Sequence, residues 1–371
     1  MDYEPTADEW QLRKPAALGM DAEGLAEALR HHRAHETRWR PDFFTGSGRY
    51  VGVADEPPAP DDVLGPVRYR GGPTGVIVRG GVIAAEWGDT SRSDMTFSVA
   101  KSYLAVLAGL AVARGLIRSI DDPVRHYALD DGFALAQNHN ITWRHLLQQT
   151  SEWQGTLWDK PDTIDHNRDV GKSELGAADK GTPRPLRPPG TLWEYNDVRV
   201  NRLSLSLLQV FRRPLPEVLR TELMDPIGAS TTWEWQPYRN SWVTIDGGRM
   251  PSVPGGSHWG GGLWMSTRDH ARFGLLIHRG GQWGGRQLVP ASWIEEMRRP
   301  SPINPEYGLL WWLNTGGRQL PSAPESSYAA RGAGSNVIWI DPEHDLVTVV
   351  RWIDKPHMAG FVERVLASVR D

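Results

Sequence analysis

The sequence predicts an α+β fold in which helices flank an antiparallel sheet and a mostly helical region is inserted into it. Strand-like runs sit at both ends of the 371-residue chain, and helical periodicity dominates between them. Strands from the two ends can pair in one sheet, leaving the intervening chain to pack beside it. The expected division is residues 1–94 with 266–371 for the sheet part and 95–265 for the helical part. A site is expected in the cleft at their interface.

The elements follow in order. Residues 21–35 read as a helix, with Leu25, Ala26, Leu29 and His32 near one face and Asp21 as its cap. A Pro- and Gly-rich stretch over 41–73 reads as surface loop. Residues 75–89 carry two β-rich runs around Gly80-Gly81, a two-residue hairpin signal. Residues 98–114 form an alanine-rich helix, apolar all round and therefore buried. Helical stretches continue at 143–149 and 198–211, separated by a long polar loop over 158–190. Two more helices are expected at 267–279 and 290–298, strands at 307–314, 336–341 and 345–353, and a last helix over 359–369.

Composition removes several function classes. The chain has no cysteine, so disulfides, thiolate nucleophiles and Cys-based zinc sites are excluded. A net charge of −4 and scattered basic residues point to neither nucleic acid nor an anionic membrane. No apolar run approaches the roughly 20 residues needed to cross a bilayer. The polar N-terminus does not read as a signal peptide, so a cytoplasmic location is expected. The 18 tryptophans serve mostly in packing; those near the motifs below, Trp153 among them, are candidates for an aromatic substrate pocket.

Ser98-Val99-Ala100-Lys101 is the one S-x-x-K in the chain. At helical spacing the two side chains share a face. A serine hydroxyl needs a base to become a nucleophile, and burial lowers the pKa of a lysine and frees it to accept a proton. Ser98 also lies at a helix N-terminus, where free amides favour developing negative charge. The turn Pro189-Gly190 presents Tyr195 ahead of a helix, and a phenol beside a cationic lysine can serve as general base or acid.

These residues bring out a resemblance to the class C β-lactamases and penicillin-recognising serine hydrolases, including esterases and 6-aminohexanoate-dimer hydrolases. TFSVAKSYLAVLAGLAVARGLIRSIDDPV is similar to the family's nucleophile helix, and ITWRHLLQQTSEW to its LL-x-x-TSG segment, with Glu152 in place of Gly. PPGTLWEYNDVRVNRLSLSLL, GGGLWMSTRDHARFGLLI and GAGSNVIWIDPEHDLVTVV resemble three further segments in the family's order, over about residues 75–353. The resemblance implies a serine β-lactamase/transpeptidase-like fold. It implies Ser98 as nucleophile, Lys101 as its partner, Tyr195 as the proton-transfer residue, and the amides of Ser98 and Ala333, on the last edge strand, as the oxyanion hole.

Two departures qualify it. Asp197 stands where the family's Y-x-N has Asn. An anion there favours the protonated form of Lys101 unless it pairs elsewhere, with Arg199, or unless Asn196 takes part of the Asn role. The K-T-G segment is absent; Arg331, beside Gly332, is a candidate for a substrate carboxylate. His258 is a candidate pocket residue or a plain loop histidine. These departures favour a small ester or amide as substrate over a β-lactam. An acyltransferase using the same acyl-enzyme and a non-catalytic penicillin-binding-like sensor are the competing readings. No metal or cofactor is expected, and the oligomeric state is not legible.

Other patterns carry less. There is no G-x-S-x-G elbow. Gly171-Lys172-Ser173 lacks the first glycine of a phosphate loop. His31 and His35, four apart on a helix, have a spacing that could hold a metal ion, but no H-E-x-x-H accompanies them and they read as a solvated helix face. Asp162, Asp165, His166 and Asp169 read as a solvated lid or a substrate-contacting loop.

Overall fold

The computed structural model describes residues 3–59, 62–170 and 179–370. Its largest sheet has six antiparallel strands. β1 (Thr74–Arg79) and β2 (Val82–Trp87) form the expected hairpin, with positive φ at both Gly80 (59°) and Gly81 (80°). β3 (Trp312–Leu313), β4 (Tyr328–Gly332), β5 (Asn336–Asp341) and β6 (Leu346–Arg351) complete it in the spatial order β3-β4-β5-β6-β1-β2.

Side chains alternate across the sheet. Ile77, Val337, Trp339 and Val350 meet one helical layer, α1 (Ala22–Ala34) with the C-terminal helix α5 (Met358–Ala367). Val76, Val78, Ile338 and Val349 face the opposite way, toward α4 (Thr267–His278) and the helical region. Asp21 caps α1 by accepting from the Gly24 amide at 2.7 Å. At the crossing between sheet and helical region the two passes of chain pair side by side, Asp94 with Met265 and Met95 with Trp264.

The helical region is built on α2 (Ala100–Ala113) and α3 (Asp197–Phe211). Every α2 residue from Ala100 to Ala111 is buried, as its unbroken apolar character requires. Among the described residues no helix is long and apolar enough to cross a membrane.

Three expectations need correction. The 41–73 stretch is not mere surface loop: Phe43, Tyr50, Val53 and Leu64 are all buried in the core. The 307–314 run is strand only at Trp312–Leu313, because Leu310 takes a positive φ of 57°. Its backbone bonds instead to the helical region, with the Leu310 amide donating to Leu147 O (2.9 Å) and Ser102 Oγ donating to Leu310 O (2.8 Å). Ala333 is not within a strand either; it sits in the turn between β4 and β5, and β3 pairs with β4 only at Tyr328 and Ala329.

The middle of α2 allows a packing test. A Cβ at Gly109 would stand 2.3 Å from the Trp293 ring, whose Nε1–H donates to Ala105 O at 3.0 Å. Alanine gains about 1 kcal/mol of helix propensity, but overpacking a rigid contact costs about 1–3 kcal/mol. Gly109→Ala is expected to lower stability, read as a fall in the urea midpoint; a rise would show that Trp293 yields freely.

Candidate active site

Ser98 lies in a short turn, Phe97–Val99, that runs directly into α2. Phe97 adopts φ 51°, uncommon for a bulky residue. Its ring is held by edge contacts with Trp39 (5.5 Å between centroids) and Phe43 (5.4 Å). The packing thus supports a strained turn that puts Ser98 on the cleft wall.

Lys101 follows one turn later and is 1% exposed. Its Nζ donates to Ser98 Oγ (2.9 Å), Asp197 Oδ1 (2.5 Å) and Gly255 O (3.2 Å). Three acceptors match the three protons of an ammonium. Burial alone would depress the lysine pKa, but the Asp197 carboxylate outweighs it and the net displacement is upward. Lys101 is therefore a cation at neutral pH, contrary to the expectation of a base freed by burial.

Asp197 begins α3 and is itself buried. Its second oxygen, Oδ2, accepts from Arg168 Nη1 (2.6 Å) and bonds His258 Nδ1 (2.8 Å). Burial opposes its charge, yet Lys101, Arg168 and His258 together hold its pKa well below the usual carboxylate range. His258 Nε2 reaches Glu56 Oε1 (2.5 Å), and Lys180 donates to the same oxygen (2.7 Å). Burial depresses the His258 pKa, but Asp165, Asp197 and Glu56 raise it overall.

A cavity of about 490 Å³ opens beside this cluster, lined by Ser98, Tyr195, Arg168, Arg331, Ala333 and the apolar Trp39 and Trp312, among others. Lys101 Nζ lies 4.9 Å and the Arg168 guanidinium carbon 5.4 Å from the centre of the Tyr195 ring, so two cations border the phenol. Gly332 brings the end of β4 against the serine turn: a Cβ there would stand 2.3 Å from Thr96 O and 3.1 Å from Ser98 N. Ala333 is exposed to the cavity just beyond it. The arrangement sets a hydroxyl, an ammonium, a phenol and the N-terminal amides of a helical turn around one space, the equipment for acyl transfer.

The profile of the beta-lactamase family matches residues 65–362. The chain belongs to the beta-lactamase family of serine hydrolases. A curated relative, an uncharacterized protein of Alkalihalophilus pseudofirmus, is 24% identical over 301 residues, covering 74% of this chain and 76% of its own. The solved structure of EstCE1, described as a hydrolase with promiscuous acyltransferase activity, superposes with a TM-score of 0.59 at 14% identity, over 94% of this chain and 99% of its own. A penicillin-binding protein homolog from Caulobacter crescentus gives the same TM-score, identity and coverage. At such identities the two structures establish the β-lactamase/transpeptidase-like fold.

Several sequence expectations take a different form in this family member. Asp197 does not pair with Arg199. That arginine binds Glu152 (2.7 Å), Glu194 (3.1 Å) and Asp162 (3.2 Å) instead. Asn196 takes no part at the cavity; its side chain caps α3 by accepting from the Arg199 amide (3.1 Å) and donates to Asp162 O (2.8 Å). Trp153 does not line the cavity, since its indole is buried and donates to Gly132 O (2.8 Å). His258 stands behind the site rather than in it. Asp162, Asp165 and His166 are 3%, 0% and 1% exposed and so are not part of a solvated lid, whereas Asp169 is exposed. Glu152, in place of the family's Gly, is fully buried and bonds both nitrogens of the Arg184 fork (2.6 and 2.7 Å). Gly171-Lys172-Ser173 lies outside the described residues.

Arg168, Glu56 and Lys180 were not singled out by sequence. They sit in aperiodic segments, where the only available signal was charge within otherwise loop-like sequence.

Glu56 offers a pH test. Burial raises its pKa, but His258 and Lys180 bring it down to about 2 from 4.5. A carboxyl depressed on folding stabilises the fold above its unfolded pKa and loses that contribution as pH falls toward the folded value. Glu56→Gln is expected to cost on the order of 3 kcal/mol at pH 7, and the gap from the native chain should close between pH 4.5 and 2. A pH-independent gap in urea midpoints would remove this carboxylate charge from the account.

Proposed function

We propose that the protein hydrolyses small esters or amides through an acyl-enzyme on Ser98, preferring acyl groups that carry a carboxylate. The observation that carries this reading is the 2.9 Å bond from a fully buried ammonium, Lys101, to the Ser98 hydroxyl at a cavity wall. Ser98 Oγ attacks the substrate carbonyl, and the oxyanion settles between the Ser98 and Ala333 amides. In the proposed reacting form Tyr195 Oη is deprotonated, which acceptance of the serine proton requires. Asp197 keeps the proton on Lys101, so Tyr195 Oη is the base that receives the serine proton. Tyr195 then passes it to the leaving alcohol or amine. Water attacks the acyl-serine in the second half, giving its proton to Tyr195 and releasing the acid.

Arg331 supports the carboxylate preference. It lines the cavity, it has no ion-pair partner among the described residues, and its guanidinium is held by the neutral Gln319 amide oxygen. Burial lowers its pKa, a cost that an incoming anion would relieve.

With p-nitrophenyl butyrate the native chain should show turnover, and Ser98→Ala should reduce kcat by about a thousandfold or more. A fluorophosphonate should add once, on the Ser98 peptide, in a mass spectrum. Full turnover by Ser98→Ala, or labelling of another serine, would sink the acyl-enzyme.

Arg331→Gln separates the finer claim. It should lower kcat/KM for the p-nitrophenyl monoester of succinate about tenfold to a hundredfold, leaving the uncharged butyrate ester within about threefold. Equal losses on both esters would assign Arg331 to structure alone.

A further inference from the structure

Helix α1 carries His31 and His32, His35 caps its C-terminal end, and the structure treats the three differently. His32 is fully buried and both its nitrogens are engaged, Nδ1 accepting from Trp87 Nε1 (2.9 Å) and Nε2 bonding Arg351 O (3.0 Å). It is a packing residue. His31 and His35 lie one turn apart and half-buried, and His357 joins them from the short turn Lys355–His357 that precedes α5. One ring nitrogen from each of the three lies within 4.8 Å of the other two. The His35 and His357 rings stack at 3.7 Å, and His31 lies 4.4 Å from His35 between centroids.

The local hydrogen bonds leave one nitrogen without a carbonyl partner on both His31 and His35. His35 Nδ1 faces His31 O (2.7 Å) and His31 Nε2 faces His357 O (3.1 Å). A carbonyl only accepts, so each of these nitrogens carries the proton and the second nitrogen of each ring keeps its lone pair. Backbone carbonyls orient metal-binding imidazoles in the same way.

We propose that His31, His35 and His357 form a binding site for one divalent transition-metal ion, of the zinc, nickel or copper kind. Three imidazoles without a carboxylate suit these ions rather than magnesium or calcium. Half-exposure leaves a coordination position for water. Nitrogens bound at about 2.0–2.1 Å to one tetrahedral ion stand about 3.3 Å apart, so the His35–His357 stack has to splay, and half-buried rings have room to do so. Arg364 stands near His31 and opposes a cation, but it is drawn toward Glu27 (3.7 Å) and donates to Gly360 O (2.8 Å).

A second convergent set, Glu56, Asp165 and His258, does not compete. Lys180 already sits on Glu56 (2.7 Å) and Arg168 on Asp165 (3.4 Å), so fixed cations hold the place of an ion. An ion on the three histidines would tie α1 to a segment whose Asp354, Lys355 and Met358 line the catalytic cavity.

The test uses the full chain without an affinity tag. Titration with zinc chloride in a calorimeter should show one ion per chain. At free zinc about one hundred times Kd the melting temperature should rise by about 3 °C, and EDTA should reverse the rise. His35→Ala and His357→Ala should each weaken binding at least about tenfold, while His139→Ala should not; His357→Gln replaces the alanine variant if that one is unstable. Absence of saturable binding by the native chain, or undiminished binding by the His35 and His357 variants, overturns the proposal. Neither readout involves ester turnover, so the outcome is independent of the Ser98 chemistry.

Discussion

A lysine ammonium sealed from water sets the conditions for the rest of this molecule. An unpaired buried charge costs several kcal/mol, and Lys101 avoids that cost by giving each of its protons an acceptor. One acceptor is the serine hydroxyl and another is a carboxylate, so the obligation is passed on. Asp197 must in turn satisfy a second oxygen, which it does with Arg168 and His258. His258 then requires Glu56, and Glu56 takes Lys180. An alternating line of charge thus runs from the nucleophile helix to Glu56 in one connecting segment and to Arg168 and Lys180 in another.

Two of the places where the chain departs from its family's pattern, Asp197 and Glu152, share one physical explanation. Asparagine at 197 would offer a single carbonyl oxygen, whereas aspartate offers two, one for Lys101 and one for the pair Arg168 and His258. Glycine at 152 would offer no side chain, whereas Glu152 binds Arg184 and Arg199. Both substitutions introduce carboxylates, and each secures an arginine of the polar segment before α3. Buried ion pairs hold Arg168 and Arg184 in place, so removing one partner exposes the rest to an uncompensated charge. The acid–base logic of the site shifts with it, because a carboxylate beside Lys101 favours the proton on nitrogen more strongly than a neutral amide would.

The regular elements were largely legible because each depends on short-range pattern. Gly80-Gly81 between β-rich runs, the unbroken apolar face of α2 and the cap at Asp21 are local signals, and the structure follows them closely. The exceptions have tertiary causes. The 307–314 run has strand composition, but Leu310 turns away to bond with Leu147 and Ser102 on the helical side. Tyr328–Gly332 was missed as a strand because its composition is mixed; its place beside β5 comes from pairing, not propensity.

The sequence by itself determined the fold class, most of the order of its elements, and the serine and tyrosine that line the cleft with the lysine buried beside them, because helical spacing and ordered motifs survive without coordinates. Only the tertiary structure decided the charge state of Lys101, the partner of Asp197 and the withdrawal of Trp153 and Asn196 from the cavity. Those depend on which groups meet across residues far apart in the chain, and on how little water reaches them. The same holds for His357, which reaches His31 and His35 only because the C-terminal helix packs against the first one. Burial and long-range pairing set proton affinity and contact, and neither is written in local spacing.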